Sequence, residues 1–182
     1  MNKPGKHIIY TIGHSTHPLP EFLEMLHAFN IKVLVDIRSL PGSRKFPQFD
    51  QENLKISLEE NGIQYLHLAG LGGRRKVKKD SRNERWKHDS FRGYADYMES
   101  SDFKKAVAEL EHIAVKQPTV YMCSEAVWWR CHRSMVSDYL KVKGWTVLHI
   151  METGKVQEHP YTAPARIVNG NVCYYNENLF DQ

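Results

Sequence analysis

Residues 32–39 read Lys-Val-Leu-Val-Asp-Ile-Arg-Ser, a short apolar run that ends in charged and polar side chains. An apolar run of this length is typical of a strand that is buried on both faces of a parallel sheet. Asp50 follows at a position that suits a helix cap, and Leu54 and Leu58 share one face of the helix that it begins. Gly62 then stands where a helix commonly ends in the left-handed conformation. The stretch therefore predicts a strand followed by a helix that packs back on the sheet.

Apolar runs and helical segments alternate along the whole chain, which favours a parallel sheet. Ser101 is the predicted cap of the most clearly amphipathic helix, and Asn169-Gly170 is a hairpin signal between two short apolar runs. We therefore predict a single α/β domain over residues 1–182. Its core is a mostly parallel five-stranded sheet flanked by helices, Rossmann-like or flavodoxin-like, with a C-terminal antiparallel hairpin. The predicted strands are residues 7–12, 32–37, 63–68, 119–123 and 145–150.

The composition excludes several classes of protein. With 182 residues, 41% of them hydrophobic and 25% charged, the chain resembles one globular domain rather than a disordered or fibrous protein. Residues 8–12 are too few for the apolar core of a signal peptide, and no run approaches the roughly 20 apolar residues that span a bilayer. Three cysteines make an odd, sparse set unlike a disulfide framework. We therefore predict a cytoplasmic protein without a membrane partner.

Residues 74–87 carry most of the positive charge. They hold eight Lys or Arg against two acids, a net +6, so the rest of a chain whose net charge is +4 is left with −2. We predict a basic mobile loop at 74–90, because this connection is longer than most loops in a compact domain. Basic and aromatic side chains together are typical of nucleic-acid binders, and the alternative is a solvated surface loop. The candidate nucleic-acid contacts are Arg74, Arg75, Lys78, Lys79 and Trp86.

Polar and reactive side chains follow the predicted strands. Parallel sheets bind ligands beyond the carboxyl ends of their strands, so these side chains are expected to meet at one edge. Taken singly, each is explained as well by the polarity of loops, and only their accumulation favours a site. The candidates are His14 and Ser15 after the first strand, Asp36 and Arg38 after the second, and Cys123 and Glu125 after the fourth.

Cys131-His-Arg-Ser134 lies where a late helix begins. Free amide groups and partial positive charge at a helix start favour an anion, which Arg133 and Ser134 are expected to help bind. The same field and the neighbouring imidazole of His132 predict a lowered pKa for Cys131, as in a thiolate nucleophile. The alternative is a small buried thiol in the first turn of a helix.

Other roles stay open for these candidates. Glu125 is a general acid or base, or else a helix cap. Asp36 and Arg38 lie two apart on an extended strand, so they present an acceptor and a donor to one ligand or form a structural ion pair. No pattern requires a cofactor, but a divalent metal stays open even though no CxxC pair is present. Its ligands would be Cys123, Cys131, His132 and His14.

Six ordered blocks together resemble one family. They are Thr11-Ile-Gly-His-Ser-Thr16, Asp36-Ile-Arg-Ser39 with Pro41 and Ser43, Leu71-Gly-Gly73, Phe91-Arg-Gly-Tyr-Ala-Asp-Tyr-Met98, Met122-Cys-Ser-Glu-Ala126 and Cys131-His-Arg-Ser134. The chain resembles family 488 of the domains of unknown function over about residues 9–174, although Ser124 stands where Ala is more often expected. The resemblance implies a bacterial or archaeal cytoplasmic α/β domain but no reaction. The site that it implies comprises His14, Ser15, Asp36, Arg38, Cys123, Glu125, Cys131, His132 and Arg133.

Three functions compete at this point. The first is an enzyme that acts on a phosphate-bearing small molecule, a nucleotide or a nucleic-acid base at the carboxyl ends of the strands. In that hypothesis Cys131 or Cys123 is nucleophile or ligand, Glu125 or Asp36 moves protons, His14 and His132 assist, and Arg38 and Arg133 hold the anionic group. The second is a non-catalytic nucleic-acid-binding module that uses loop 74–88. The third is a metal-dependent hydrolase or a redox protein.

Overall fold

Six strands form the main sheet, and five of them run parallel. The computed structural model describes residues 7–176. The order across the sheet is β3-β2-β4-β1-β5-β6, and only β6, at the edge, runs antiparallel to its neighbour. The strands are β1 (Ile8–Gly13), β2 (Val33–Asp36), β3 (Gln64–His67), β4 (Thr119–Cys123), β5 (Thr146–Glu152) and β6 (Lys155–Glu158).

Helices cover both faces of this sheet. Val33 and Val35 of β2 face one apolar cluster, and Leu34 between them faces a second cluster, as the two-residue period of a strand requires. The cluster around Leu34 also includes the apolar sides of α1 and α2, whereas the other cluster includes those of α3, α4 and α5. The helices are α1 (Leu19–His27), α2 (Gln51–Glu60), α3 (Asp89–Met98), α4 (Ser101–Ala114) and α5 (Arg133–Val142). The predicted α/β domain with a mostly parallel sheet is confirmed.

The ends of the helices confirm the predicted C-terminal glycine but not the predicted capping residues. Gly62 and Gly144 have φ angles of 73° and 94°, so both helices before them end in the left-handed conformation. The cap of α4 is Ser100 rather than the predicted Ser101, because the Ser100 hydroxyl accepts a hydrogen bond from the third amide after it, at 3.2 Å. Asp50 occupies the cap position of α2, but its carboxylate accepts from the Ser43 N–H at 3.2 Å instead of from the helix.

The C-terminal part adds two antiparallel features. β5 turns back through Gly154, which has a φ of 72°, into the edge strand β6. The predicted hairpin forms as β7 (Arg166–Val168) and β8 (Asn171–Cys173), with positive φ at Asn169 and Gly170. Positive φ at both central residues is the mark of the tight hairpin turn that this dipeptide favours. The hairpin makes a separate two-stranded sheet rather than extending the main one.

The central place of β4 positions the candidate site. β4 pairs with β1 on one side and with β2 on the other, and the register sets Gly13 beside Cys123 and Asp36 beside Met122. Three carboxyl ends from distant parts of the sequence are thereby level at one edge. This order differs from the 3-2-1-4-5-6 and 2-1-3-4-5 orders of the two best-known doubly wound sheets. Across residues 7–176, every helix is too short or too polar to cross a bilayer.

Candidate active site

A cleft of about 690 Å³ opens at the carboxyl ends of β1, β2 and β4. Its walls come from the loops after these strands, the start of the basic segment (residues 74–87), the start of α3 and the residues just before α5. Most of the side chains predicted for the site meet here, although they come from four separate stretches of the chain. The polar lining includes His14, Ser15, Arg38, Arg74, Cys123, Glu125, Arg130, Cys131 and His132.

Close approach of two loops fixes the floor of the cleft. A Cβ atom at Gly13 would lie 1.8 Å from the carbonyl oxygen of Glu125, so only glycine lets the loop after β4 cross the end of β1 there. The N–H of His14 donates to the carbonyl of Cys123 at 3.0 Å, and the N–H of Ser15 donates to that of Ser124 at 2.9 Å. These contacts hold the two strand ends, and the side chains that follow them, in one arrangement.

Two thiols and an imidazole form a cluster on this floor, which we call the Cys–Cys–His cluster (Cys123, Cys131 and His132). Their Sγ and Nδ1 atoms all lie within 4.8 Å of one another. Nδ1 of His132 is 3.9 Å from Sγ of Cys123 and 3.7 Å from Sγ of Cys131, and neither cysteine is in a disulfide. This proximity could not be predicted from the sequence, because seven residues separate Cys123, at the end of β4, from Cys131, just before α5.

The two thiols of the cluster differ in acidity. A hydrogen bond from Cys131 and the nearby imidazole of His132 hold the pKa of Cys123 well below its usual range. Burial and the neighbouring Cys123 sulfur raise the pKa of Cys131 well above its usual range. The expectation that the helix start lowers the pKa of Cys131 is therefore wrong, because burial and a second sulfur outweigh the helix field. Cys123 is therefore the more acidic thiol of the pair.

Packing holds the imidazole of His132 with its Nδ1 atom towards the two sulfurs. Its Nε2 atom is buried and has no hydrogen-bond partner in the part of the chain that the structure describes. The ring lies 5.0 Å from that of Tyr94, and a Cβ atom at Gly73 would sit 2.4 Å from Nδ1. Gly73, at the start of the basic segment, therefore leaves just enough room for the ring to face the two sulfurs.

Asp36 and Arg38 form a buried ion pair. Nη2 of Arg38 donates to Oδ2 of Asp36 at 2.6 Å, and the hydroxyl of Tyr65 donates to the same oxygen at 2.8 Å. Asp36 is fully buried and does not line the cleft. Arg38 does, and its Nη1 donates to Nε2 of His14 at 3.3 Å. That contact leaves Nδ1 of His14 to donate to the Ser15 carbonyl at 3.0 Å, while burial and the Arg38 charge lower the pKa of His14.

Arg133 and Ser134 lie beneath the cleft rather than in it. Nη2 of Arg133 donates to the carbonyls of Glu125 and Ala126 at 3.0 Å each, and so holds the loop after β4 from below. The hydroxyl of Ser134 donates to the carbonyl of Cys131 at 2.8 Å and is fully buried. The structure therefore does not bring these two predicted anion-binding residues to the cavity.

Two exposed guanidinium groups stand at the rim instead, those of Arg74 and Arg130. Sequence reasoning assigned Arg74 to the basic segment and did not include Arg130. The signal for Arg130 was its place just before Cys131, in a loop that must leave β4 at the same edge. Glu125 is also exposed and adds a negative charge to the cleft lining.

Some cationic side chains of the basic segment contact other parts of the fold, and others face solvent. Arg75 stacks 3.6 Å above the ring of Tyr97 and donates to the Gly72 carbonyl at 3.1 Å. Trp86 stacks on a neighbouring aromatic ring at 4.6 Å, so its face is already used within the fold. Lys78 and Lys79 are exposed, although the backbone N–H of Lys78 is held at 2.9 Å by a carboxylate of α3. Three of the five predicted nucleic-acid contacts, Arg74 included, therefore face solvent.

A second buried polar network lies beside Trp128, outside the cleft lining. Nε2 of His159 donates to Oδ1 of Asp138 at 2.9 Å, and Nε2 of His149 donates to Nδ1 of His159 at 2.9 Å. This order follows because a carboxylate only accepts. His149 stacks on Trp128 at 4.6 Å, and its Nδ1 is buried without a partner among residues 7–176. Burial, then the proximity of His159 and Arg133, lower the pKa of His149 to about 2, which keeps the ring neutral.

The fold and the cluster define an α/β domain with paired thiols and an imidazole at the carboxyl edge of a parallel sheet. Residues 18–140 match the family described as Domain of unknown function DUF488, and the chain belongs to that family. The match confirms the resemblance. It includes the Asp-x-Arg, Cys-x-Glu and Cys-His-Arg blocks and begins after the block that holds His14. Among curated proteins and among solved structures, no protein matches the chain.

Proposed function

We propose that the protein is an enzyme that acts on a phosphate-bearing small molecule, a nucleotide or a nucleic-acid base in this cleft. One observation carries the proposal: the Cys–Cys–His cluster lies on the floor of a cleft of about 690 Å³ whose rim bears Arg74 and Arg130. A reactive sulfur, an imidazole and anion-binding groups that converge on one cavity are the usual parts of an active site.

The charges around the cleft favour an anionic substrate. Arg74 and Arg130 are exposed at the rim, and a guanidinium group binds phosphate oxygens through two parallel hydrogen bonds. Glu125 is the one carboxylate among the described residues of the lining. That carboxylate can accept a proton from the reacting group. We therefore expect the phosphate at the two arginines and the reacting atom near the sulfurs.

The buried groups around the cleft position the reacting groups. Asp36 is fully buried and holds Arg38, which in turn contacts His14. Arg133 supports the loop that carries Glu125. The reacting group is Cys123, at the end of β4 and in the cleft lining, where its sulfur serves as a nucleophile or as a ligand. Asp36 and Arg133 act through their neighbours.

Protection from alkylation tests the proposal. The protein is treated with iodoacetamide in reducing, chelating buffer, with and without inorganic phosphate or adenosine monophosphate, and labelling is resolved by peptide mass spectrometry. We expect both ligands to slow the labelling of Cys123 in a saturable way. Cys173, buried in β8, serves as an internal reference. Loss of Arg74 or Arg130 should weaken protection by about 10-fold, the lower end of the ~1.5–3 kcal/mol for a hydrogen bond to a charged group.

The matched control is Lys105→Ala, which removes an exposed cation from α4. It should leave protection unchanged. Failure of both phosphate and adenosine monophosphate to protect Cys123 would refute the proposal. So would equal protection in the wild type and in the double variant Arg74→Ala, Arg130→Ala.

A second candidate function is nucleic-acid binding, which the exposed cations of the basic segment favour. Arg74, at the rim of the cleft, is followed along the chain by Lys78 and Lys79, and Phe91 also lines the cleft. A single strand that tracks these charges would lose affinity steeply with salt, by a slope of about 0.7 for each phosphate contact. Salt titration of a fluorescent oligonucleotide should therefore give a shallower slope for Lys78→Ala, Lys79→Ala than for Lys105→Ala. Equal slopes would exclude this candidate.

A further inference from the structure

We infer that Cys123, Cys131 and His132 bind one zinc ion and leave its fourth coordination position open to the cleft. The inference rests on the proposed function only in taking this cleft as the substrate site. It decides between the two roles left to the Cys123 sulfur, because a sulfur that ligates a metal is not the attacking group.

The spacing of the three atoms fits a tetrahedral ion. Zinc lies about 2.3 Å from a sulfur ligand and about 2.0–2.1 Å from an imidazole nitrogen, so tetrahedral geometry sets the two about 3.5–3.6 Å apart. The distances from Nδ1 of His132 to the two sulfurs are 3.9 and 3.7 Å. Each nitrogen–sulfur distance needs to shorten by only about 0.1–0.4 Å to reach the tetrahedral value, and the two sulfurs lie within 4.8 Å of each other.

Among residues 7–176, the cluster comprises these three atoms and no fourth protein ligand. Gly73 and Tyr94 confine the imidazole with Nδ1 towards the sulfurs, and Nε2 has no competing partner among the described residues. Backbone N–H groups of Ser124 and Arg133 interact with the sulfurs, as the groups that hydrogen-bond to metal ligands do in thiolate metal sites. Both ring nitrogens of His14 are engaged elsewhere, so the prediction of His14 as a ligand does not carry over into the cluster.

The donor set selects the ion. Two sulfurs and one imidazole suit zinc, whereas magnesium requires oxygen ligands. Structural zinc sites are closed by four protein ligands, and catalytic sites have three with a water molecule in the fourth position. All three residues line the cleft, so the open position faces the bound substrate.

Zinc in this place makes water the nucleophile. It lowers the pKa of a bound water molecule to about 7, and the proton passes to the carboxylate of Glu125. The oxygen then forms a bond to an electrophilic carbon or phosphorus of the substrate. The leaving group departs with the electron pair of the broken bond and takes the proton back from Glu125. The net reaction is hydrolysis, and it consumes one water molecule.

Metal analysis and cobalt substitution test the inference on the full chain. We expect one zinc per chain after purification without chelator, retained in the presence of excess magnesium. Cobalt in its place should give the strong visible bands of a tetrahedral site together with thiolate-to-cobalt charge transfer in the near ultraviolet. Cys123→Ser, Cys131→Ser and His132→Ala should each weaken zinc binding by more than the ~10–100-fold that follows loss of a group that only hydrogen-bonds to a ligand. Cys173→Ser and His14→Ala should bind zinc as the wild type does, and circular dichroism checks that every variant is folded.

Each outcome bears on one claim. A chain that retains no zinc, or a cobalt spectrum without thiolate charge transfer, overturns the inference. Unchanged zinc binding in folded Cys131→Ser also overturns it. If zinc is absent while phosphate still protects Cys123, the proposed enzyme stands with sulfur as its nucleophile. If zinc binds but neither phosphate nor adenosine monophosphate protects, the metal site stands and the proposed function falls.

Discussion

The buried imidazole of His149 should make the protein lose stability in mild acid. Its ring is fully buried between Trp128 and His159 and stays neutral because its pKa is lowered from 6.5 to about 2. In the unfolded chain the same ring takes up a proton below about pH 6.5. The unfolded state then binds one more proton than the folded state, so the free energy of unfolding falls as the pH falls. The substitution His149→Gln keeps a neutral donor and removes this titration.

The magnitude follows from the two pKa values. Each pH unit below 6.5 costs about 1.4 kcal/mol of unfolding free energy as long as the folded ring stays neutral. From about pH 7.5 to about pH 5 the loss assigned to His149 is therefore about 2 kcal/mol. Stability is complete above the unfolded pKa and declines throughout the window between 6.5 and about 2.

Urea unfolding followed by tryptophan fluorescence measures this effect, with chelator present so that no metal contributes. The curve of unfolding free energy against pH should be shallower for His149→Gln than for the wild type, by one proton. His112→Gln, which changes an exposed histidine on α4, serves as the matched control and should follow the wild type. Parallel curves for His149→Gln and the wild type would refute the reasoning, whatever the absolute stability of the variant.

Three further substitutions test the packing that supports the site. Gly13→Ala sets a Cβ atom 1.8 Å from a backbone oxygen and should destabilise the fold by about 1–3 kcal/mol and weaken phosphate protection, whereas Gly42→Ala, with 3.7 Å to its nearest neighbour, should do neither. Ser100→Ala should cost about 1 kcal/mol in thermal unfolding and Ser101→Ala much less; equal effects would return the cap of α4 to Ser101. Burial opposes ionisation of Asp96, but three hydrogen bonds outweigh it and lower its pKa. Asp96→Asn should therefore expose residues 78–83 to limited trypsin digestion, and an unchanged digestion pattern would contradict this.

The strands were predictable where burial is continuous. β2 and β4 are buried along their whole length, so all but one residue of each strand forms an apolar run in the sequence, the exceptions being Asp36 and Thr119. The edge strand β6 was missed because all four of its side chains are exposed, which removes any apolar period. The order of the strands was not predictable, because it depends on pairing between segments far apart in the chain.

The site was predictable as a place but not as a set of roles. Parallel strands share one carboxyl edge, so His14, Arg38 and Cys123 were expected to meet there, and they do. Which polar groups stay free to act depends on burial in three dimensions. Asp36 is held in an ion pair with Arg38, and Arg133 donates to a loop carbonyl. That carbonyl belongs to Glu125, which is not adjacent to Arg133 in the sequence. For the same reason the spacing of Cys123 and Cys131 in the sequence did not predict that their sulfurs lie close together.

The insertion of β4 between β1 and β2 also constrains how the chain can fold. During synthesis β1, β2 and β3 emerge first, but β1 gains its inner neighbour only when residues 119–123 arrive. Contacts of this sequence separation form late and slow the folding of a domain. Pairing of β4 with β1 and β2 also brings Cys123 next to His14 and Arg38 at the carboxyl edge of the sheet. Chains that stop before β4 therefore lack the strand that joins β1 to β2, and the cleft between those strand ends cannot form without it.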